Sequence, residues 1–421
     1  MPPRRLRAPR DPVTVSLDGE AVVAERGEPV AVALVAGGAL ALARSAKFHR
    51  PRGPSCLRAA CEGCLARVDS EPNIMTCRAR AREGTEVTTQ NSLGSRNVDL
   101  LRMTDWFFPE GMNHHELLAG VPGLQSVMQS FARRVAGLGR LPAVSRAPMP
   151  ARRRRLDVVV VGSGPSGMAT ALELSARGRR VTVLDDALAP GGAARTLGAD
   201  RGVFGPLLAA FSQATASGRI ALELEVTVGA LYEGDVLAVG PGGAEVLTAE
   251  TLVLATGAHD GQAVFEGNDL PGVLSARAAA ELVAHGVLIG ERVAWCHPEG
   301  PTAFGQAFAS AARAASATVH AFHGLPRSVH GGTVVEGASF LQSDEEVIYD
   351  LDAVVLDLPS SPAYELAVQA GARVRHEARG YVVVADPDGV IAPGGVRGVG
   401  ELVGTPLDPD AVLAEAARVA G

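Results

Sequence analysis

The chain opens with the period of a half-buried strand. Val13-Thr14-Val15-Ser16-Leu17 alternates apolar and polar residues, Asp18-Gly19 is a hairpin turn signal, and Glu20-Ala21-Val22-Val23-Ala24 reads as the return strand. Pro29 to Leu42 is a small-residue apolar segment that predicts a helix broken at Gly37-Gly38. Thr85-Glu86-Val87-Thr88-Thr89 reads as a further strand. Residues 11–95 therefore read as a small β-rich domain. Residues 96–155 read as a connector with some helix, because Leu124, Val127, Met128, Phe131 and Val135 fall at helical intervals. The run Arg152 to Arg155 reads as a solvated linker before a buried strand.

The pattern then changes to strands alternating with helices. Leu156-Asp157-Val158-Val159-Val160-Val161 predicts a buried parallel strand, Met168 to Arg177 a helix, and Arg180 to Leu184 a second strand. Leu222 to Val228 and Val236 to Leu247 read as strands of a β-ribbon, and Thr251 to Ala258 as a strand ending in a small-residue turn. Residues 262–360 read as an inserted α/β unit with strands Arg292 to Cys296 and Ala317 to Ala321 around a helix, Phe304 to Ala315. Val396 to Glu401 precedes a last helix, Asp410 to Val419.

Composition narrows the function. The 421 residues are 47% hydrophobic, enough for a real core. A net charge of -7 and 4% aromatic content argue against a nucleic-acid binder, which needs a cationic face and stacking platforms. The longest apolar run, Val30 to Ala43, is shorter than the roughly 20 residues that span a bilayer. The basic start MPPRRLRAPRD lacks the apolar stretch of a secretory signal, so a soluble cytoplasmic protein without a membrane span is expected. The sole lysine, Lys47, leaves one candidate for Schiff-base chemistry.

Four of five cysteines crowd one segment. Cys56, Cys61 and Cys64 follow C-x4-C-x2-C, and Cys77 comes after twelve intervening residues. In a cytosolic chain, clustered cysteines suit metal better than disulfides. Four thiolates meet the need of a [2Fe–2S] cluster, and this is the plant-type ferredoxin spacing. A structural zinc site is the competing reading, but its paired knuckles usually lie about 15–20 residues apart. Cys296 reads as a small buried strand residue. His114 and His115 are adjacent, so they cannot share a helix face, and a structural role is favoured over ligation.

Gly162-Ser163-Gly164-Pro165-Ser166-Gly167 lies between a strand and a helix, and Asp185 closes the next strand. That context turns a weak motif into a dinucleotide fingerprint. Gly162 permits the tight turn, Gly164 lets backbone approach a pyrophosphate, and Gly167 lets the helix pack on the strand. The helix N-terminus offers amides to phosphate. Asp185 can accept from ribose hydroxyls and would repel a 2′-phosphate, which favours FAD or NAD over NADP. Pro190-Gly191-Gly192 follows closely. The candidate cofactor-binding residues of this motif are Gly162, Gly164, Pro165, Ser166, Gly167 and Asp185. In the inserted unit, the turn His297 to Ala303 has one glycine where a nucleotide loop wants two or three, so a functional NAD site is not expected there.

The cysteine quartet, the stretch Arg44 to Gly53 before it, Gly162 to Gly167 and Ala255-Thr256-Gly257 together resemble the α-subunit of heterotetrameric sarcosine oxidase. They are also similar to the corresponding subunits of hydrogen cyanide synthase, opine oxidase and hydroxyproline or proline dehydrogenases. The resemblance implies an α/β chain. A β-grasp-like [2Fe–2S] ferredoxin domain (11–95) and a connector (96–155) would precede a Rossmann-type flavoprotein fold (156–261 and 361–421). Residues 262–360 would form its second, disulfide-reductase-like dinucleotide domain. It implies Cys56, Cys61, Cys64 and Cys77 as cluster ligands, FAD (or NAD or another adenine nucleotide) at the glycine loop with Gly191, Gly192, Arg195, Val228, Ala255, Gly257, Gly400 and Glu401 as further binding residues, and admits FMN at a subunit interface. Glu401 stands where related flavoproteins have an aspartate by the ribityl chain. A separate FAD-containing, glycine-oxidase-like β-subunit would oxidise an amine or imino acid, and this chain would pass electrons to a downstream acceptor. Because the chain ends at Gly421, folate-coupled formaldehyde capture is not expected. The competing readings are a free-standing NADH-dependent flavin and iron–sulfur reductase, and a non-catalytic scaffold with a structural nucleotide. The sequence offers no Ser-His-Asp pattern or acid pair for hydrolysis; the chemistry belongs to cofactors.

Overall fold

A computed structural model describes residues 2–45, 49–92, 94–98, 150–198 and 202–421. Lys47, His114, His115 and the segment Leu124 to Ala136 lie outside the described residues. The chain divides into two units. The first comprises residues 1–145, 263–300 and 308–357; the second comprises 146–262, 301–307 and 358–421. Among the described residues, no helix is long and apolar enough to cross a membrane.

The first unit begins with a five-stranded mixed sheet in the order Glu20–Glu25, Pro12–Leu17, Thr85–Thr88, Leu65–Val68, Glu71–Met75. Pro12–Leu17 pairs antiparallel with Glu20–Glu25 and parallel with Thr85–Thr88. The hairpin turn is Asp18-Gly19, and both residues have positive φ (52° and 87°), as a type I′ turn requires. Helix Val30–Ala36 buries Val30 through Val35. It has no polar stripe, which is the pattern of a helix covered all round. It ends at Gly37, where the sequence placed its break.

The same unit holds a four-stranded parallel sheet: Val273–Ser275, Ala353–Leu356, Arg292–Cys296 and Thr318–Phe322. A separate antiparallel three-stranded sheet, Ser328–His330, Gly337–Gln342 and Glu345–Asp350, belongs to the same unit. The basic N-terminal arm has a structural use. Arg4–Arg5 pairs antiparallel with Val287–Leu288, and the Leu6 amide donates to the Gly286 carbonyl at 2.7 Å. Arg5 ion-pairs with the buried Glu28, and Arg7 with Glu25 at 2.7 Å.

The second unit is built on an eight-stranded sheet. Ile220–Leu224, Val181–Asp185, Arg152–Val161 and Gly243–Leu254 run parallel in that order, and Val396–Gly398 adds to the last of them. Asp235–Gly240 and Thr227–Tyr232 continue antiparallel from Gly243–Leu254. The β-ribbon is therefore Thr227–Leu254. Leu222 to Val228, expected in it, instead divides between a parallel core strand and the ribbon's first strand. Alternation alone does not separate those two roles. The arginine run also departs from the linker reading, because Arg152–Val161 is one continuous strand. Arg154 bonds Glu223 at 2.9 Å and Glu245 at 2.7 Å, and Arg153 bonds Asp235 at 3.0 Å. Acids on other strands hold the run in the sheet.

Helices Pro165–Ala176, Gly205–Ala216 and Pro409–Ala420 share a core that includes Met168, Leu174, Phe211, Ile220, Val412 and Val419. Phe211 is fully buried there. Phe211→Ala is expected to cost about 3–5 kcal/mol through lost transfer energy and a residual cavity, read as a lower urea midpoint for the unit's unfolding transition.

Candidate functional site

The first candidate site is the loop from Gly53 to Cys64 with Cys77. Leu57, Ala59 and Glu62 have φ of 55°, 63° and 53°. Non-glycine residues adopt that region at some cost, so the loop is held by what surrounds it. The turns aim amides inward: Arg58 and Ala60 donate to Cys56 Sγ at 3.4 and 3.3 Å, and Gly63 donates to Cys61 Sγ at 3.4 Å. Two glycines allow this packing. A Cβ on Gly63 would meet the Gly53 carbonyl oxygen at 2.2 Å, and one on Gly53 would meet the Leu40 carbonyl oxygen at 2.1 Å. Gly53 ends the stretch of the family likeness, but spacing did not reveal this role.

The four sulfurs fall into two pairs. The Cys56 thiol hydrogen-bonds Cys61, which is lowered to about 5; amides donating to its sulfur help. The Cys77 thiol likewise hydrogen-bonds Cys64 and lowers it. Their partners, Cys56 and Cys77, are pushed up, each first by that same bond and then by burial. Two facing pairs, with amides donating to sulfur, are the donor set of a binuclear cluster, so these residues fit [2Fe–2S]. Cys296 lies fully buried in its strand, and burial pushes its thiol up to about 12, which leaves it inert.

The second candidate site lies in the second unit, after strand Arg152–Val161. Gly162 has φ of 104°, and a Cβ there would meet the Ala255 carbonyl oxygen at 2.3 Å. A Cβ on Gly167 would meet the Gly162 carbonyl oxygen at 2.0 Å. Both glycines are thus demanded by the protein's own packing. Gly164 differs: its φ is −68°, and a Cβ would have nothing within 4 Å. Only a ligand approaching that face would require glycine there. Gly164 caps helix Pro165–Ala176, and no side chain bonds this end. The first-turn amides beyond Pro165, those of Ser166 and Gly167, are left for a phosphate.

Asp185, the last residue of its strand, is fixed by its neighbours. Oδ2 accepts from Ser163 N at 2.5 Å and Ser163 Oγ at 2.6 Å, and Oδ1 accepts from Ala187 N at 2.7 Å. A carboxylate has about four acceptor positions, so capacity remains for a ribose hydroxyl. Ser163, the first variable position of the motif, was not singled out by sequence. Gly191 donates to the Ser163 carbonyl at 2.9 Å, which holds the Gly191-Gly192 turn against the loop. Arg195 follows on the short helix Ala193–Thr196.

The C-terminal contribution is equally local. A Cβ on Gly400 would meet Ser166 Oγ at 2.7 Å, and one on Gly257 would lie 3.9 Å from Glu401 Oε2. Thus Ser166, Gly257, Gly400 and Glu401 lie close together, with Ala255 beneath the glycine loop. Ser360 Oγ donates to Glu401 Oε1 at 2.8 Å. The buried Glu415 accepts from Gly400 N at 2.7 Å and from Thr405 Oγ1 at 2.5 Å, fixing the turn. Neither Ser360 nor Glu415 carried a motif signal. Val228 sits at a bulge of the ribbon.

Two family models match these two sites: a 2Fe-2S iron-sulfur cluster binding domain over residues 10–92, and an NAD(P)-binding Rossmann-like domain over residues 160–215. The chain therefore joins a ferredoxin-type domain to a dinucleotide-binding fold. It is similar to the sarcosine oxidase α-subunit of Rhizobium meliloti (strain 1021), 30% identical over 323 residues, 69% of this chain and 32% of that one. It is also similar to one of the subunits of opine oxidase from Agrobacterium tumefaciens (strain Ach5), 35% identical over 166 residues, 34% of this chain and 31% of that one. The chain thus spans about a third of the length of these curated relatives. Among solved structures, L-proline dehydrogenase from P. horikoshii shares the fold, with a TM-score of 0.73 and 20% identity over 100% of this chain and 75% of that one.

The glycines make separable predictions. Gly167→Ala is expected to destabilise the fold by about 1–3 kcal/mol, because backbone must move to admit the methyl. Gly164→Ala is expected to leave the melting temperature nearly unchanged while lowering the bound dinucleotide per chain, measured by absorbance after denaturation. Equal losses of stability in both variants would contradict the assignment.

Proposed function

We propose that the chain is the redox subunit of a heteromeric flavin-dependent dehydrogenase or oxidase acting on amines or imino acids. It relays electrons from a partner flavoprotein to a downstream acceptor. The observation that carries this reading is the double pair of thiols in an amide-lined loop, on a chain that also holds an intact dinucleotide loop. The names of the relatives, sarcosine oxidase, opine oxidase and L-proline dehydrogenase, supply the substrate class and the CH–NH chemistry. The partner would be an FAD-containing subunit of the glycine oxidase type, and the setting cytoplasmic.

Cys56 and Cys61 would hold one iron, and Cys64 and Cys77 the other. When bound, the cluster supplies one-electron storage. Arg58, Ala60 and Gly63 stabilise thiolate charge through their amides. Gly164, Ser166 and Gly167 would receive the pyrophosphate of FAD, and Asp185 would accept from its ribose. The flavin, when bound, supplies hydride and single-electron chemistry. Glu401, held by Ser360, would sit at its ribityl side. No side chain of this chain is assigned an acid–base step, because amine oxidation itself would take place on the partner.

The test is anaerobic purification of the chain with its partner. Visible absorption of a [2Fe–2S] centre, about two irons per chain, and flavin released on denaturation are expected. Cys61→Ser and Cys77→Ser should each abolish the cluster bands and stop electron delivery to an artificial acceptor while amine-dependent bleaching of the partner flavin persists. A fully active lone chain, or one loaded with zinc, would refute the reading.

A further inference from the structure

The acceptor capacity left on Asp185 can be located atom by atom. Each carboxylate oxygen offers about two lone-pair positions. Oδ2 accepts from Ser163 N at 2.5 Å and from Ser163 Oγ at 2.6 Å, so one residue fills both of its positions. Oδ1 accepts from Ala187 N at 2.7 Å. Among the described residues no other donor reaches this carboxylate. One position remains, on Oδ1. Asp185 is half-buried, which leaves that oxygen within reach of a ligand.

Ser163 is not free to give way. It is fully buried, and its carbonyl accepts from Gly191 N at 2.9 Å. Just before it, Gly162 N donates to the Leu184 carbonyl at 2.8 Å. The glycine loop is thereby fastened to the strand that ends in Asp185. The ribose next to an adenine carries two hydroxyls, at 2′ and 3′. A carboxylate with a free position on each oxygen can take both, and this one lacks the second position.

We propose that Ser163 confines Asp185 to a single ribose hydroxyl, by filling Oδ2 and leaving Oδ1 alone for the nucleotide. Ser163 is then a positioning residue for cofactor recognition. The proposal rests on the dinucleotide reading of the glycine loop and deepens it.

The test uses the full chain with ADP, 2′-deoxy-ADP and 3′-deoxy-ADP. Each is titrated onto the chain after its dinucleotide has been washed out with a chaotrope. Each also competes with bound FAD on the untreated chain, read by the fluorescence of released flavin. One deoxy nucleotide should bind at least about tenfold more weakly than ADP, as loss of a hydrogen bond to a charged group implies. The other should bind nearly as tightly as ADP. The loss should vanish in Asp185→Ala, which separates a hydroxyl held by Asp185 from one held elsewhere. Ser163→Ala unfastens the acid and should shrink the ratio between the two deoxy nucleotides. A merely structural role would weaken all three nucleotides alike and keep that ratio, and this outcome overturns the assignment of Ser163. Two Asp185-dependent losses, or none, overturn the single-hydroxyl proposal and leave the dinucleotide reading standing. Failure of ADP to bind in either format overturns that reading and the proposal with it.

Discussion

The donation of backbone amides to buried cysteine sulfurs in one loop is the constraint on which the rest depends. Sulfur lone pairs and thiolate charge are poorly tolerated in an apolar interior unless donors reach them. This loop meets the need with its own backbone, twisting Leu57, Ala59 and Glu62 into the left-handed region so that neighbouring amides point inward. The strain is sustained only if the loop is gripped from outside. The contact of Gly63 on Gly53, and of Gly53 on Leu40, provides that grip. The helix and sheet of the domain can then be read as supports for a short piece of chain that would not hold its shape alone.

Much of this was legible beforehand. The Asp18-Gly19 hairpin, the strand Arg292–Cys296 and the glycine loop could be read from periods and turn residues, because each is decided by neighbours in sequence. The cysteines could be read because metal ligation leaves a spacing. What could not be read depends on partners far along the chain. Arg152 to Arg155 looks like solvated linker until Glu223, Glu245 and Asp235 are brought beside it. Ser163 and Glu415 look ordinary until one is seen bonding Asp185 and the other bonding Gly400.

The glycine motif also divides by cause. Gly162 and Gly167 answer to the protein's interior, where a methyl would strike a carbonyl oxygen. Gly164 answers to open space. A fingerprint that looks uniform in the sequence is thus two kinds of demand, and only one of them concerns a ligand. The same distinction separates a fold that tolerates a nucleotide from one shaped for it.

The pairing of Arg4–Arg5 with Val287–Leu288 has a consequence for biogenesis. Strand Arg4–Arg5 waits for a neighbour roughly 280 residues later in the chain, and the intervening residues build much of a different sheet. Closing so long a loop is entropically slow to arrange, although the extra cost grows only with the logarithm of its length. During synthesis the front domain therefore exists for a time with its arm unsecured and the segment 269–275 not yet against its cysteine loop. Until that segment packs, the loop lacks the cover that Asp269, Pro271 and Ser275 give it through Arg52, Gly53 and Ser55.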